Sequence, residues 1–182
     1  REGVDTGRAV SYFNTNCLKS HADLDNPMWL VATNAAANSI NAKKLAGLAG
    51  DTKTYKADVT GDAPASKWRL PVPEVLELKV GAKVVFLRNN KQKGWINGDT
   101  GTIISMGSDT MLVRSDISGD ALEVGRMSWE RYAYTYDEKN QKIDKEEIGT
   151  FSQFPLGLGW AVTIHKSQGM TLESAVVDLG SV

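Results

Sequence analysis

A chain of 182 residues, 41% hydrophobic and 24% charged, is long enough for one domain or for two small ones sharing a core, and this composition excludes a disordered or fibrous protein. Twenty-one Lys and Arg against 22 Asp and Glu leave a net charge of −1, so composition alone carries no footprint of a nucleic-acid binder. The single cysteine excludes an internal disulfide framework, two histidines assemble no metal-ligand spacing, and no apolar run approaches the roughly 18 residues that cross a bilayer. With no signal-like start either, the expectation is a cytoplasmic protein with no membrane partner and no metal site, in which Cys17 is a small buried hydrophobe.

The first segment, around Ala9 to Asn14, reads as a short amphipathic helix followed by a loop at Asn26-Pro27. Met28 to Thr33 has the length and apolar texture of a buried strand, and Thr33 or Asn34 then caps an Ala-rich helix over Ala35 to Leu48, closed by Gly47 and Gly50. Such strand-turn-helix units build open α/β sheets. Lys53 to Ala57 reads as a strand inside a polar stretch, and Pro64, Pro71 and Pro73 mark irregular connections, which places a domain junction there. From Leu78 to Arg88 onward come short β segments, with Asn97-Gly98-Asp99 as the strongest turn, then 102–106, 110–115, 121–124 and 127–136. Strands so closely spaced predict a small barrel. The charged stretch 137–147 reads as a polar hairpin-like turn, which argues against Asp137-Glu138 as a magnesium-binding pair. From Leu158 to Ile164 the pattern fits a strand and a helical face equally, whereas Ala175 to Leu179 reads as a buried strand. The expected division is 1–74, 75–149 and 150–182.

The stretch His165-Lys166-Ser167-Gln168-Gly169 carries the chemistry. An imidazole, an ammonium, a hydroxyl and a carboxamide crowd around a glycine between two apolar segments, a set of phosphate-compatible donors where backbone N–H groups can also face an anion. A polar strand or helix end with solvated side chains is the competing structural explanation. Among the aromatics, Trp29 and Trp160 sit in apolar runs and read as core. Trp95, beside Lys91, Lys93 and the Asn97-Gly98 turn, reads either as core or as an accessory DNA contact through base stacking.

Thr163 to Thr171, followed by Val176-Val177-Asp178, resembles motif V of the Pif/RecD-type superfamily I DNA helicases, a group that includes helicase domains of conjugative relaxases. Phe154-Pro155-Leu156 matches the family's lead-in, with a departure at Gly157, where Lys or Arg is common. Leu30 to Asn34 with Asn41 resembles motif IV of the second RecA-like domain. Leu78 to Val84 with Asn97 to Gly101, and Trp129-Glu130 with Tyr132, are similar to the start and end of the group's SH3-like insertion.

The resemblance implies an α/β fold: a RecA-like parallel-sheet domain, split, with an inserted small SH3-like β-barrel. It implies the C-terminal part of an ATP-dependent DNA helicase, translocating 5′-to-3′ and associated with the nucleoid. Thr33, Asn34, Asn41, Thr163, His165, Lys166 and Ser167 would face single-stranded DNA, and Gln168 and Gly169 the nucleotide. ATP and magnesium would be held mainly by the N-terminal RecA-like domain of the same protein, because no Gly-x-x-x-x-Gly-Lys-Ser/Thr stretch or strand-terminal Asp-Glu occurs here. The resemblance puts the arginine finger beyond Val182, so these residues alone are expected to be inactive. Two other readings stand beside this one: a non-catalytic nucleic-acid-binding or protein-interaction module with a degenerate RecA-like fold, and a structural SH3-like adaptor.

Overall fold

The structure is a computed structural model that describes residues 6–16, 24, 26–61, 70–137, 142–172 and 174–180. Cys17, His21, Pro64, Trp68 and Glu138, on which sequence expectations rest, lie outside the described residues. In chain order the elements are α1 (Thr6–Asn16), β1 (Met28–Val31), α2 (Asn34–Ala46), β2 (Lys53–Lys56), β3 (Asp58–Gly61), β4 (Val75–Leu78) and β5 (Lys83–Phe86). There follow β6 (Thr100–Met106), β7 (Thr110–Ser115), β8 (Ala121–Gly125), β9 (Met127–Asp137), β10 (Lys142–Gln153), β11 (Leu156–Leu158), β12 (Ala161–Thr163) and β13 (Ala175–Asp178).

A three-stranded, wholly parallel sheet of order β12-β1-β13 forms the middle layer, with Trp29 opposite Ala161 on one side and Val176 on the other. Helix α2 starts where the sequence places a cap, since the Thr33 side chain accepts from Ala36 N at 3.2 Å. Its small residues let it lie close on one face of the sheet, where Ala36, Ala37 and Ile40 pack with Trp29, Val31 and Ala161. The other face, Met28, Leu30 and Val162, packs against Val85 and Leu87 of the antiparallel half. Strand β13 departs from expectation. It stands at the sheet edge with Val177 60% exposed, so its apolar run is not buried within these residues.

The rest of the chain is antiparallel and built as open sheets. Five strands pair in the order β11-β5-β6-β7-β8, three as β3-β10-β9, and two as β2-β4. Their inward residues form the largest core, which includes Leu78, Val84, Phe86, Trp95, Ile103, Val113, Phe154 and Trp160. The pattern 78–88 resolves into two strands with different partners: β4 pairs with β2 and β5 with β6. Of the charged stretch 137–147, expected to be a turn, Asp137 ends β9 and residues 142–147 are the first half of β10, which pairs with β9 along its length, while 138–141 lie outside the described residues. Its residues 142–147 are exposed, so no hydrophobic alternation marks them as a strand.

Antiparallel pairing continues past residue 149, because β11 joins the five-stranded sheet beside β5. Only Gly159 and Trp160 then separate β11 from β12 in the parallel sheet. Gly159 N donates to Lys83 O at 2.8 Å, and a Cβ at Gly159 would meet the Val84 carbonyl carbon at 2.7 Å. This close approach requires glycine and seals the link between the two sheets.

Candidate nucleic-acid interface

Strand β12 delivers the motif to the end of the parallel sheet. Ile164 N makes the last ladder bond, to Val31 O at 3.1 Å, and the chain then turns back on itself. Thr163 O accepts from both Lys166 N (2.9 Å) and Ser167 N (3.1 Å), Ser167 Oγ donates to Ile164 O at 2.9 Å, and Met170 N donates to Ser167 O at 3.0 Å. The result is a tight helical turn that ends on Gly169 at φ 83°, a conformation suited to glycine. A turn so fully bonded internally presents its side chains outward, and His165, Lys166 and Gln168 are exposed, with Ser167 half-buried.

Facing this loop is the N-terminal turn of α2, the positive end of its dipole. Asn34 and Asn38, one helical turn apart, are both exposed and border the same cleft of about 960 Å³ as His165, Lys166 and Gln168. Asn97 and Gly98, in the turn before β6, close it from the antiparallel side. The rim therefore gathers an ammonium, an imidazole and carboxamides, a set able to donate to phosphate oxygens.

Thr33, Asn34, Thr163, His165, Lys166, Ser167, Gln168 and Gly169 thus gather at this end of the sheet. Thr33 acts as the α2 cap and Thr163 is buried, its carbonyl holding the loop together. Two expected contacts are engaged within the fold. Asn41 borders the cleft but is only 7% exposed and is bonded at both ends of its amide, with Nδ2 donating to Ala161 O at 2.8 Å and Oδ1 accepting from Ala161 N at 2.9 Å. It clamps α2 to the outer edge of β12. Trp95 is 2% exposed, stacks on Phe86 with ring centroids 4.9 Å apart, and donates Nε1 to Arg88 O at 3.1 Å. It is core, and Lys93, near it in sequence, pairs with Glu123 at 3.4 Å.

Sequence reasoning missed Asn38 and Asn97. An Asn in an Ala-rich helix reads as solvated, although its i+4 spacing from Asn34 was the available signal. Asn97 looked like turn chemistry only. At Gly157, where the resembling family commonly has Lys or Arg, a Cβ would lie 3.2 Å from Leu87 Cδ1, so a side chain here requires Leu87 to shift by a few tenths of an ångström.

Residues 67–106 match the family described as DNA helicase Pif1, 2B domain. Over its full length the chain is 32% identical to an ATP-dependent DNA helicase Pif1 of Bdellovibrio bacteriovorus, of which it covers 40%. Among solved structures, unliganded Pif1 from Bacteroides sp. superposes with a TM-score of 0.74 at 34% identity, over 83% of this chain and 34% of that one. A Bacteroides Pif1 solved in complex with ADP-AlF3 and ssDNA gives 0.73 at 31% identity, over 96% of this chain and 39% of that one. The chain thus spans about 40% or less of the lengths of these relatives, and their whole-protein properties belong to them. With one matched profile, full-length sequence similarity and superposition all agreeing, the chain belongs to the Pif1-type family of superfamily I helicases, as a C-terminal part that carries the 2B domain.

Proposed function

We propose that this chain is the part of an ATP-dependent DNA helicase that grips single-stranded DNA and links that grip to the nucleotide. The observation that carries the proposal is the cleft in which exposed His165, Lys166 and Gln168 stand opposite Asn34 and Asn38 at the positive end of α2. Lys166 and His165 donate to phosphates of the strand, and the two asparagine amides hold it from the other wall. Thr163 and Ser167 act through the backbone by fixing the turn, while Gln168 and the open backbone of Gly169, with no atom within 4 Å of its Cβ position, approach the nucleotide. Translocation 5′-to-3′, and a cytoplasmic place of work on nucleoid DNA, complete the reading.

Among the described residues no three His, Cys, Asp or Glu side chains come together, and no phosphate-binding loop sequence occurs. ATP and magnesium are therefore assigned to the N-terminal RecA-like domain of the same protein, the chain's partner beside single-stranded DNA. The reading includes an SH3-like insertion over 75–149 in a RecA-like domain, supported by the consecutive antiparallel pairing of β5, β6, β7 and β8.

The test uses a labelled oligo(dT) and the parent protein. Affinity should fall as salt rises, with a log-log slope of about 0.7 per phosphate contact, and Lys166→Ala should remove about one contact from that slope. Lys166→Ala with Gln168→Ala should lower DNA-stimulated ATPase activity. Unchanged ATPase and unwinding in that double variant would overturn the proposal.

A further inference from the structure

The loop that carries Lys166 and Gln168 is fixed at its far end by a contact between two stretches that lie about 70 residues apart, Gly98 and Met170. Met170, which bonds back to Ser167 O, packs with Val85, Leu87 and Val162 between the two sheets. Against it lies Gly98 at φ 96°, so close that a Cβ there would stand 2.9 Å from Met170 Cγ. The turn bearing Gly98 is firmly held. Gly98 N donates to Phe86 O (2.8 Å), Phe86 N to Asp99 O (2.9 Å), Ile96 N to Asp99 Oδ2 (2.8 Å) and Asn97 N to Asn89 Oδ1 (2.6 Å). The turn is thus tied to the end of β5, and β5 also supplies Val85 to the cluster against which Met170 packs.

We infer that the Asn97–Asp99 turn is a positioning element for the Thr163–Gly169 loop, with Gly98 as the seat on which Met170 rests. The seat sets where Lys166 and Gln168 stand, and any displacement of the antiparallel sheet is passed to them through Met170. Two of the bonds it protects, Lys166 N and Ser167 N to Thr163 O, shape the loop itself. The functional part of this inference rests on the proposed DNA-binding reading, whereas the positioning part rests on geometry alone.

A double-mutant cycle in the chain tests it. Gly119→Ala supplies the control, because Gly119 also has positive φ (76°) but nothing within 4 Å, so it reproduces the backbone strain without the contact. Gly98→Ala should speed amide exchange at Lys166, Ser167 and Met170 about tenfold more than Gly119→Ala does, and weaken oligo(dT) binding about fivefold. Exchange at Ile103, bonded to Ala82 O in the sheet interior, reports global stability and should change equally in both. In a Met170→Ala background the excess effect of Gly98→Ala should vanish.

Equal effects of the two glycine variants on the loop, or an undiminished Gly98→Ala effect in the Met170→Ala background, would overturn the inference. Should Gly98→Ala not fold, Met170→Ala alone decides: loop exchange must accelerate while Ile103 holds. If the exchange pattern appears but the unmodified chain binds no oligonucleotide at low salt, the DNA reading fails and the positioning role stands. If binding is present and the exchange pattern is missing, the positioning role alone fails.

Discussion

Replacing Asn41 with Ala separates a structural clamp from a DNA contact. In the structure the Asn41 amide holds both the N–H and the C=O of Ala161, a residue only 2% exposed, so water cannot take over when the side chain is removed. Each buried backbone group left unpaired costs about 1–3 kcal/mol, so two cost roughly 2–6 kcal/mol. Ala is a better helix former than Asn by about 0.5 kcal/mol, which offsets a little of this. A net loss of about 1.5–5.5 kcal/mol, at roughly 2–4 °C per kcal/mol for a chain of this length, lowers Tm by about 3–22 °C. Thermal melts followed by circular dichroism measure it, alongside oligo(dT) affinity at a temperature where both proteins are folded. The reasoning requires a large drop in Tm with affinity within about twofold of the starting value. A drop in Tm below about 2 °C together with tenfold weaker binding would refute it, and would return Asn41 to the DNA interface.

Trp95→Ala should cost about 3–5 kcal/mol in urea unfolding, since it empties the site stacked on Phe86, yet leave oligonucleotide affinity of the folded protein unchanged. Gln153 is fully buried, its Nε2 donating to Tyr55 O and Glu74 O and its Oε1 accepting from Phe154 N. Gln153→Leu orphans all three groups, and the urea midpoint should fall by the equivalent of about 3 kcal/mol or more. The Tyr132 hydroxyl is pushed up to about 12, first by its hydrogen bond to Glu130 and then by burial and neighbouring charge. Because the folded protein holds this proton more tightly than the unfolded chain, the associated stabilisation is present below pH 10 and is lost as pH rises from 10 to about 12. Absorbance titration should show Tyr132 as a late tyrosine, beside Tyr55, which burial also pushes up, and Glu130→Gln should bring Tyr132 alone back toward 10.

Local signals made the parallel half legible. The apolar run 28–31, the Thr33 cap and the Ala-rich helix were each readable in place, and the structure puts them there to within a few residues. The ambiguous stretch after Leu158 resolves as two short strands either side of Trp160, a distinction periodicity could not make because the chain changes sheets there. The first half of β10 was illegible for a different reason. A ribbon exposed on both faces has no apolar alternation, so Lys142 to Glu147 looks like a solvated turn. At the candidate site the side-chain chemistry could be read, but engagement could not. Whether an asparagine is free, like Asn38, or bound at both ends, like Asn41, depends on a strand 120 residues away in sequence. Trp95 misled in the same way, because its neighbours in sequence are cations and its neighbours in space are Phe86 and the core.

The two-residue link at Gly159–Trp160 also governs how load crosses the molecule. Two residues extend at most about 7 Å, and this pair is already held by the Gly159 bond to Lys83 and by Trp160 in the core, so it contains no slack. Tension applied to the Thr163–Gly169 loop therefore reaches β11 and β5 directly through the backbone. The sheet beyond the link then behaves as a stiff anchor for that loop, and compliance must reside elsewhere, in elements joined by longer connections.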